Sequence, residues 1–383
     1  FPFEACTRFE DVLVESTQFD RYVTFGEGIN LFDSDEMGDN EVSIVNSTIR
    51  GNASYGIVTQ GNSSLTLDDS EITGNAAEGL YAIGSSTARV MGSSISENMK
   101  HNVLAYEETS VVLENSGITN ALPDEDGTGG RGVAMVDGML SIINTTVSGS
   151  TELGIILFGT AEASIDDGVI RDNGTIGLAA PNSTRLTLTN SIVAANGSEN
   201  IRLSDNSQTV IENSEIRDAP VDPDNFSGFG ISLNGKAALQ LRDSSVSENG
   251  QTGIYLIDQS TASIENSSIT QSFDGVLMFN ESQVTINNST LQSNDVALVL
   301  RGESNAVITQ STIDFNNFGI SLLDLSTATI SNNTISNNTV CGVDHVRDQP
   351  GGIIGQNNTI FGNGEANLCG ERNNFPRGSG GGR

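Results

Sequence analysis

Hydrophobic and polar residues alternate along this chain in short runs. In the run Ser64–Asp68, Leu65 and Leu67 alternate with polar residues, and similar runs return at residues 262–265 and 328–331. Successive side chains of a β-strand point to opposite faces, so each run predicts a strand with one buried face. Helical periodicity is absent from these runs. The pattern therefore predicts an all-β protein.

A second pattern sets the order of these strands. The step Gly-apolar-x-apolar recurs at intervals that are mostly 22 to 24 residues, and its glycine, or the residue that replaces it, is called the anchor below. The anchors include Gly28, Gly56, Gly79, Gly230, Gly253 and Gly275. Two or three strands per interval describe one coil of a solenoid whose stacked coils bury one continuous core. We predict a single-stranded parallel β-helix of about fifteen coils, right-handed because ~98% of parallel crossovers are.

This β-helix is predicted to form most of the chain. It spans residues 28–371, after an N-terminal cap and first partial coil at residues 1–27 and before a flexible, glycine-rich tail at residues 372–383. The residues predicted to fill its cross-section are Ile57, Leu65, Leu67, Ile254, Leu256 and Ile264. A register slipped by one residue would turn all of them to solvent.

Two columns of asparagine or aspartate accompany the strands. One column includes Asn46, Asp69 and Asn115, and the other begins with Asn52 and Asn75. Asparagine tolerates the left-handed backbone of tight turns, and its amide bonds turn groups or a neighbouring amide in a stack. We assign both columns to the structure of the turns.

With these repeats, the chain resembles the right-handed parallel β-helix proteins of the pectin-lyase-like superfamily, in particular their carbohydrate-binding and sugar-hydrolase type repeats. The resemblance covers roughly residues 12 to 369. It implies the fold and leaves the activity open, because that superfamily contains lyases, hydrolases, epimerases, adhesins and non-catalytic scaffolds.

Charge and cysteine content restrict the partners and the compartment. The chain has 17 Lys and Arg against 49 Asp and Glu, a formal charge of -32. Such a surface repels phosphate backbones, so we predict no binding to nucleic acid. There is no apolar run long enough to span a membrane, and the acidic surface suits an extracellular or cell-surface protein, with the periplasm as an alternative. Cys341 and Cys369 either form a disulfide or remain free thiols.

Acidic residues crowd three inserted segments, at residues 32–40, 121–131 and 219–229. Carboxylates on glycine-containing loops suit Ca²⁺, the one cofactor that the sequence suggests. Solvated acidic loops without a metal are the alternative interpretation. The candidate ligands are Asp33, Asp35, Asp39, Asp124, Asp126, Asp222 and Asp224.

The second and fourth residues after the anchors form a predicted outward-facing apolar strip. Its members are Tyr81, Ile83, Leu104, Tyr106, Ile156, Phe158, Tyr255, Ile257, Leu277 and Phe279. An apolar strip on so acidic a protein indicates a contact surface. We expect Tyr81, Ile83, Tyr106, Ile156 and Phe158 to be substantially exposed in an isolated chain and buried against a protein partner or a second copy. Coverage of the strip by the chain's own inserted loops is the alternative.

The sequence thus favours a non-catalytic extracellular scaffold or adhesin that binds or assembles through the apolar strip. The alternatives are a polysaccharide-active enzyme, whether lyase, hydrolase or epimerase, and a carbohydrate-binding module with Tyr81, Tyr106 and Tyr255 as stacking platforms. We assign no catalytic residue. His101 and His345 have no neighbours in sequence that resemble a triad or a zinc site.

Overall fold

A computed structural model describes residues 5–19, 26–32, 40–221, 227–345 and 352–369. Every regular element among these residues is a β-strand. The described part of the chain has no helix with the length and apolar character of a membrane span. The chain divides into two compact units, unit 1 (Phe1–Gly197) and unit 2 (Ser198–Arg383).

Unit 1 is a succession of short parallel strands. In chain order they are β1 (Ala5–Glu10), β2 (Leu13–Glu15), β3 (Ile29–Phe32), β4 (Asn40–Val45), β5 (Thr48–Arg50), β6 (Ile57–Gln60), β7 (Ser64–Asp68), β8 (Glu71–Thr73), β9 (Leu80–Ile83), β10 (Thr87–Met91), β11 (Ser94–Ser96), β12 (His101–Tyr106), β13 (Ser110–Glu114), β14 (Gly117–Thr119), β15 (Arg131–Val136), β16 (Met139–Ile143), β17 (Thr146–Ser148), β18 (Leu153–Phe158), β19 (Glu162–Asp166), β20 (Val169–Arg171), β21 (Ile176–Ala180), β22 (Arg185–Thr189) and β23 (Ile192–Ala194).

Unit 2 continues the same order of long, short and anchor strands. Its strands are β24 (Glu199–Leu203), β25 (Gln208–Glu212), β26 (Glu215–Arg217), β27 (Phe229–Leu233), β28 (Ala238–Arg242), β29 (Ser245–Ser247), β30 (Thr252–Leu256), β31 (Thr261–Glu265), β32 (Ser268–Thr270), β33 (Asp274–Met278), β34 (Gln283–Asn287), β35 (Thr290–Gln292), β36 (Val296–Leu300), β37 (Asn305–Thr309), β38 (Thr312–Asp314), β39 (Phe318–Leu322), β40 (Thr327–Ser331), β41 (Thr334–Ser336), β42 (Cys341–His345), β43 (Gly352–Gln356), β44 (Thr359–Phe361) and β45 (Ala366–Cys369).

Within each unit, every third strand belongs to the same sheet, so one coil contributes one strand to each of three sheets. In unit 1 the first sheet contains β1, β4 and β7, the second β2, β5 and β8, and the third β3, β6 and β9, each continued by later coils. Neighbouring strands pair in parallel and in register, as Leu65 does with Ala88 and Ala88 with Val111. The described residues therefore form the predicted all-β parallel solenoid.

The predicted core register is confirmed. Each of Ile57, Leu65, Leu67, Ile254, Leu256 and Ile264 is fully buried. The third residue after the last glycine anchor, His345, is buried as well. Alternation with period 2 was therefore sufficient to tell the inner face of each strand from its outer face.

Both asparagine columns have the predicted structural role. The first lies at left-handed turns, where Asn46, Asp69 and Asn115 have φ of 48°, 45° and 51°. The second forms a buried ladder in which the amide of Asn52 donates to Oδ1 of Asn75 (2.8 Å) and that of Asn75 to Oδ1 of Asn98 (2.7 Å). Such ladders satisfy buried polar groups along the turns.

A disulfide joins Cys341 to Cys369, with 6.2 Å between their Cα atoms. It links β42 to β45 in the third sheet of unit 2, two strands that pair directly. The calcium candidates Asp33, Asp35, Asp39, Asp222 and Asp224 lie outside the described residues.

Candidate functional site

The apolar strip lies on the outer face of the third sheet, and much of it is covered by its own members. Leu104 is only 6% exposed, Ile156 7% and Leu277 6%. The expectation of substantial exposure is therefore wrong for Ile156, and Leu104 and Leu277 of the strip are buried in the same way. Strands in register about 4.8 Å apart hold successive outward side chains in contact, so each covers its neighbour.

In unit 1 this packing produces a small outer cluster beside the main core. Its buried members are Leu104, Ala134, Leu153, Ile156, Ile176 and Ala179, with Tyr81 and Phe158 packed against them. Ile83, Tyr255, Ile257 and Phe279 are also half-buried, and Tyr106 is 36% exposed. The role of the strip as an interface remains a prediction, with less exposed apolar surface than the sequence indicated.

Three tyrosines follow a diagonal across this face. The ring centroids of Tyr55 and Tyr81 are 5.1 Å apart with an interplanar angle of 16°, and those of Tyr81 and Tyr106 are 6.1 Å apart at 80°. Burial, and then the charge of Glu78, raises the pKa of the Tyr55 phenol; burial, followed by Tyr106, raises that of Tyr81. Because stacked rings cover each other, the hydroxyl groups and ring edges are the parts best placed to meet a ligand.

An acid–histidine pair lies beside these tyrosines, in the column of residues that immediately precede the anchors. Nδ1 of His101 is 3.3 Å from Oε1 of Glu78, on the preceding coil. Glu78 is 6% exposed and His101 is partly buried. The column belongs to the outer face, since its members Leu153 and Ile176 pack in the outer cluster. A carboxylate at Nδ1 favours the tautomer with its proton there, which leaves the Nε2 lone pair to accept a proton.

The next residue in the same column is Arg131, which pairs in register with His101. Its Nε lies 2.8 Å from Oε2 of Glu152, and both side chains are partly exposed. One acid, one histidine and one ion pair thus follow each other on successive coils. These contacts bring carboxylate, imidazole and guanidinium groups together on the outer face of the third sheet in unit 1.

The insertion at residues 121–131 lies next to this group. It is a short hairpin closed by a bridge between Pro123 and Gly129. Asp124 stabilises the turn by accepting hydrogen bonds from the amides of Asp126 (3.1 Å) and Thr128 (2.8 Å) and from the Thr128 hydroxyl (2.8 Å). The bonds from Thr128 are the main cause of its lowered pKa.

These bonds occupy Asp124 without a metal. Within the described ranges, no group of three or more His, Cys, Asp or Glu residues is arranged to hold a metal ion. Calcium binding at Asp124 and Asp126 therefore remains a prediction. The observed role of Asp124 is to stabilise the hairpin turn.

The hairpin is hydrogen-bonded to the main chain of Lys100, the residue that precedes His101. The carbonyl of Lys100 accepts from the amides of Gly130 (2.7 Å) and Arg131 (2.9 Å), and the amide of Lys100 donates to the carbonyl of Leu122 (2.7 Å). Lys100 has a left-handed backbone with φ of 64°. The insertion thereby fixes the start of β12 and the position of His101.

The insertion also interrupts the buried asparagine ladder, because Ala121 stands where the coil would supply an asparagine. Asn102, which replaces the anchor glycine of its coil, fills the gap. It accepts from Nδ2 of Asn98 at 3.0 Å and donates to the carbonyl of Thr119 at 2.8 Å. The change of anchor and the insertion are therefore parts of one local arrangement.

Comparison with known proteins identifies the fold family. The family model described as "Right handed beta helix region" matches residues 27–137, 126–222 and 229–375. The chain belongs to this family. No curated protein is significantly similar to this β-helix protein in sequence.

Several solved structures share its fold. The periplasmic alginate epimerase AlgG is 10% identical, with a TM-score of 0.50, and the match covers 87% of this chain and 77% of that one. The Azotobacter vinelandii mannuronan C-5 epimerase AlgE4 A-module is 17% identical, with a TM-score of 0.40 and coverage of 84% and 91%. The Dettilon tailspike protein is 10% identical, with a TM-score of 0.44 and coverage of 86% and 62%. At these identities the likeness shows the fold alone.

Unit 2 of the β-helix repeats the arrangement around the second insertion, at residues 219–229. The carbonyl of Ser198 accepts from the amides of Gly228 (2.7 Å) and Phe229 (3.2 Å), as that of Lys100 does from its own insertion. Asn200 again replaces an anchor glycine and donates to the carbonyl of Arg217 at 2.8 Å. Glu199 therefore has the position in unit 2 that His101 has in unit 1.

Glu199 is buried and fully hydrogen-bonded. Its carboxylate accepts from Nε of Arg202 at 3.0 Å, from Nη2 of the same guanidinium, and from the hydroxyl of Ser232. The hydrogen bond to Glu199 raises the pKa of Arg202, whose side chain stays about half exposed. Rings stack beside this group, with 5.1 Å between the centroids of Phe229 and Tyr255.

Sequence reasoning missed Glu78, Arg131 and Glu199 because it considered the second and fourth residues after each anchor, and it named His101 without giving it a role. Glu78, His101, Arg131 and Glu199 all directly precede an anchor, and no repeat in the sequence marks that position as outward. One signal was present: the seven-residue insertions follow the coils of His101 and Glu199. In both coils asparagine replaces the anchor glycine.

Proposed function

We propose that this protein acts on a polysaccharide outside the cytoplasm, at the outer face of the third sheet in unit 1. His101 is the residue that transfers a proton, and Glu78 is its positioning residue. The observation that carries the proposal is the contact of 3.3 Å between Nδ1 of His101 and the buried carboxylate of Glu78. An imidazole oriented in this way has Nε2 available as a general base or, once protonated, as a general acid.

The surroundings of His101 suit a sugar chain. Tyr81 and Tyr106 add phenol groups whose hydroxyls are hydrogen-bond donors and acceptors, and Arg131 adds guanidinium N–H donors. The hairpin at residues 121–131 lies next to them, hydrogen-bonded to Lys100. A polar group on a long, open sheet face accommodates an extended polymer better than a small molecule enclosed on all sides.

The polysaccharide class and the compartment draw support from the fold family. AlgG is a periplasmic alginate epimerase, and its fold matches most of this chain. A surface with a formal charge of -32 suits a protein exposed to the exterior. The non-catalytic scaffold favoured by the sequence loses weight, because Leu104, Ile156 and Leu277 of its apolar strip are already buried.

The test uses purified protein and a panel of soluble polysaccharides, both neutral and uronate-containing, incubated in D2O. Proton NMR of each polymer reports exchange, epimerisation, elimination and hydrolysis together. We expect the spectrum of at least one polymer to change. His101→Gln should slow this change by about 10²- to 10⁴-fold, the usual contribution of a general acid or base. Glu78→Gln should slow it less, because the imidazole keeps a hydrogen-bonding neighbour but loses the carboxylate that orients it.

Arg185→Gln is the matched control, since Arg185 forms an exposed ion pair with Glu162 on the first sheet of unit 1. Its rate should equal that of the wild type. Unchanged spectra for every polymer with the wild type, or equal rates for wild type and His101→Gln, would overturn the proposal. A dimer whose affinity falls on replacing Tyr106 would then favour the scaffold.

A further inference from the structure

We infer that unit 2 carries a second sugar-binding site, formed by Arg202 on its buried partner Glu199, that binds a polysaccharide segment without converting it. The class of ligand rests on the proposed function, whereas the site itself rests on the geometry of unit 2. That site is built by the same local arrangement as the His101 site, and of the described residues around it only Tyr255 belongs to the apolar strip.

The two units share one local arrangement of an insertion and an asparagine anchor. In each unit an insertion places two amides on the carbonyl of the residue before the outward polar group, Lys100 in one and Ser198 in the other. In each, an asparagine replaces the anchor glycine and bonds a main-chain carbonyl at 2.8 Å, through Asn102 or Asn200. A structural interruption that appears twice, and each time fixes a polar side chain on the outer face, indicates a functional position.

The hydrogen bonds of Glu199 determine what this carboxylate can do. Both carboxylate oxygens of Glu199 accept hydrogen bonds from Arg202 or Ser232. Both oxygens are occupied by partners within the protein, so this site does not present a free ring nitrogen or carboxylate oxygen as the His101 site does. Its effect is to hold the guanidinium in one orientation. The N–H groups of Arg202 that do not face Glu199 are then available in a fixed fork on the half-exposed side of the group.

The charge balance of Arg202 and Glu199 and their distance from Tyr255 indicate the class of ligand. The charge of Arg202 is compensated by Glu199, and the protein carries a formal charge of -32, so a bare anion gains little here. Sugar hydroxyls are neutral, so they suit the oriented N–H donors of an ion pair whose two charges cancel. Ser232 pairs in register with both Arg202 and Tyr255, so the guanidinium and the tyrosine ring lie one coil to either side of it. Two strand spacings, about 9.6 Å, match the reach of one or two sugar residues.

The experiment measures binding of the same soluble polysaccharides by isothermal titration calorimetry in low and moderate salt. Arg202→Gln removes the charge-assisted donors, and we expect it to weaken the binding of at least one polymer by about 10- to 100-fold. Arg202→Lys keeps the charge and loses the fork, so it should restore only part of that loss. Little change with salt is expected for hydroxyl recognition, and a steep salt dependence would overturn the assignment to hydroxyls.

Arg242→Gln is the matched control, because Arg242 is a similarly exposed arginine of unit 2 paired with Glu212. Circular dichroism melting checks that each variant is folded. Equal affinities of Arg202→Gln and Arg242→Gln, with proton chemistry still lost in His101→Gln, would overturn this inference alone. Weakened binding in Arg202→Gln, with no chemistry in any protein, would overturn the proposed function alone. No binding of any polymer by the wild type would overturn the inference whatever the chemistry shows.

Discussion

Asp274 belongs to the same column as Glu78 and Glu199, but unlike them it is a buried carboxylate without a hydrogen-bonding partner among the described residues. It is 8% exposed, and its carboxylate makes no hydrogen bond or ion pair within the described part of the chain. Burial, and then the charge of Asp295, raises its pKa to about 6, against a smaller opposing effect of Arg301. An ionised side chain in this place costs folding free energy.

The pH dependence of this cost follows from the two pKa values. Below about pH 4 the carboxyl is protonated in both the folded and the unfolded chain, so it adds no penalty. As the pH rises towards 6 the unfolded chain loses its proton first, and stability falls until the folded carboxyl has ionised too. Asp274→Asn should therefore melt as the wild type does near pH 4 and be more stable by about 1 to 2 kcal/mol at pH 7.5.

Thermal melting of both proteins between pH 4 and pH 8 checks this prediction. Glu265→Gln, which neutralises an exposed carboxylate of unit 2, is the control and should follow the wild type at every pH. A constant difference between Asp274→Asn and the wild type across this range would contradict the raised pKa.

At the scale of residues, the sequence predicted which face each side chain points to better than it predicted how exposed that side chain is. Leu65 and Leu67 face inward as alternation requires, and Ile156 faces outward as predicted. Alternation says nothing about what covers an outward side chain. Ile156 is buried because it packs with Ala134 and Ala179 of the adjacent coils, and that contact depends on the register between strands.

At the scale of elements, close packing between coils explains why most anchors are glycine. A Cβ on Gly56 would lie 2.5 Å from the carbonyl oxygen of Gly79 on the next coil, and a Cβ on Gly79 would lie 2.5 Å from Nδ2 of Asn98. Asn102 places its amide where a ladder asparagine of the next coil would stand, and that ladder position is Ala121. The sequence displays both residues, but their connection is visible only from the contact of Asn102 with Asn98 and Thr119.

This connection predicts a compensating pair of substitutions. Asn102→Gly should lower the free energy of unfolding by about 2 to 4 kcal/mol, since the buried amide of Asn98 and the carbonyl of Thr119 lose their partner. Ala121→Asn alone should also destabilise, because it adds volume next to Asn102. Together the two changes recreate the usual coil and should recover at least half of the loss.

Urea unfolding of the single and double variants measures the coupling between the two sites. Asn62→Ala, at an exposed turn of unit 1, is the control and should change stability by less than about 0.5 kcal/mol. A double variant no more stable than Asn102→Gly would show that Asn102 does not stand in for the missing ladder residue.

At the scale of the whole molecule, the fold was predictable and the function was not. An interval of 22 to 24 residues with strand alternation is present in nearly every coil, so many weak signals agree. The candidate sites depend on single residues such as His101 and Glu199, each of which is hydrogen-bonded to a residue on another coil. Contacts of this kind leave no periodic trace in one sequence.

The disulfide at the end of unit 2 gives a prediction about how the molecule opens. In a solenoid each coil is stabilised only by its neighbours, so opening begins at an end that is not secured. Cys341 and Cys369 close a segment of 28 residues, and a cross-link of that length is worth about 3 to 4 kcal/mol in the chain-entropy model. The bond therefore secures β43, β44 and β45, where Ile354, Phe361 and Leu368 are exposed.

Hydrogen–deuterium exchange with and without a reducing agent, read by mass spectrometry, tests this role. Reduction, or Cys341→Ser with Cys369→Ser, should speed exchange in β43 to β45 by at least tenfold. Peptides from β7 to β20 in unit 1 should keep their rates, because loss of the terminal coil does not expose their hydrogen bonds. Faster exchange throughout both units would mean that the chain opens cooperatively, and the bond would then stabilise the whole β-helix and not only its last coil.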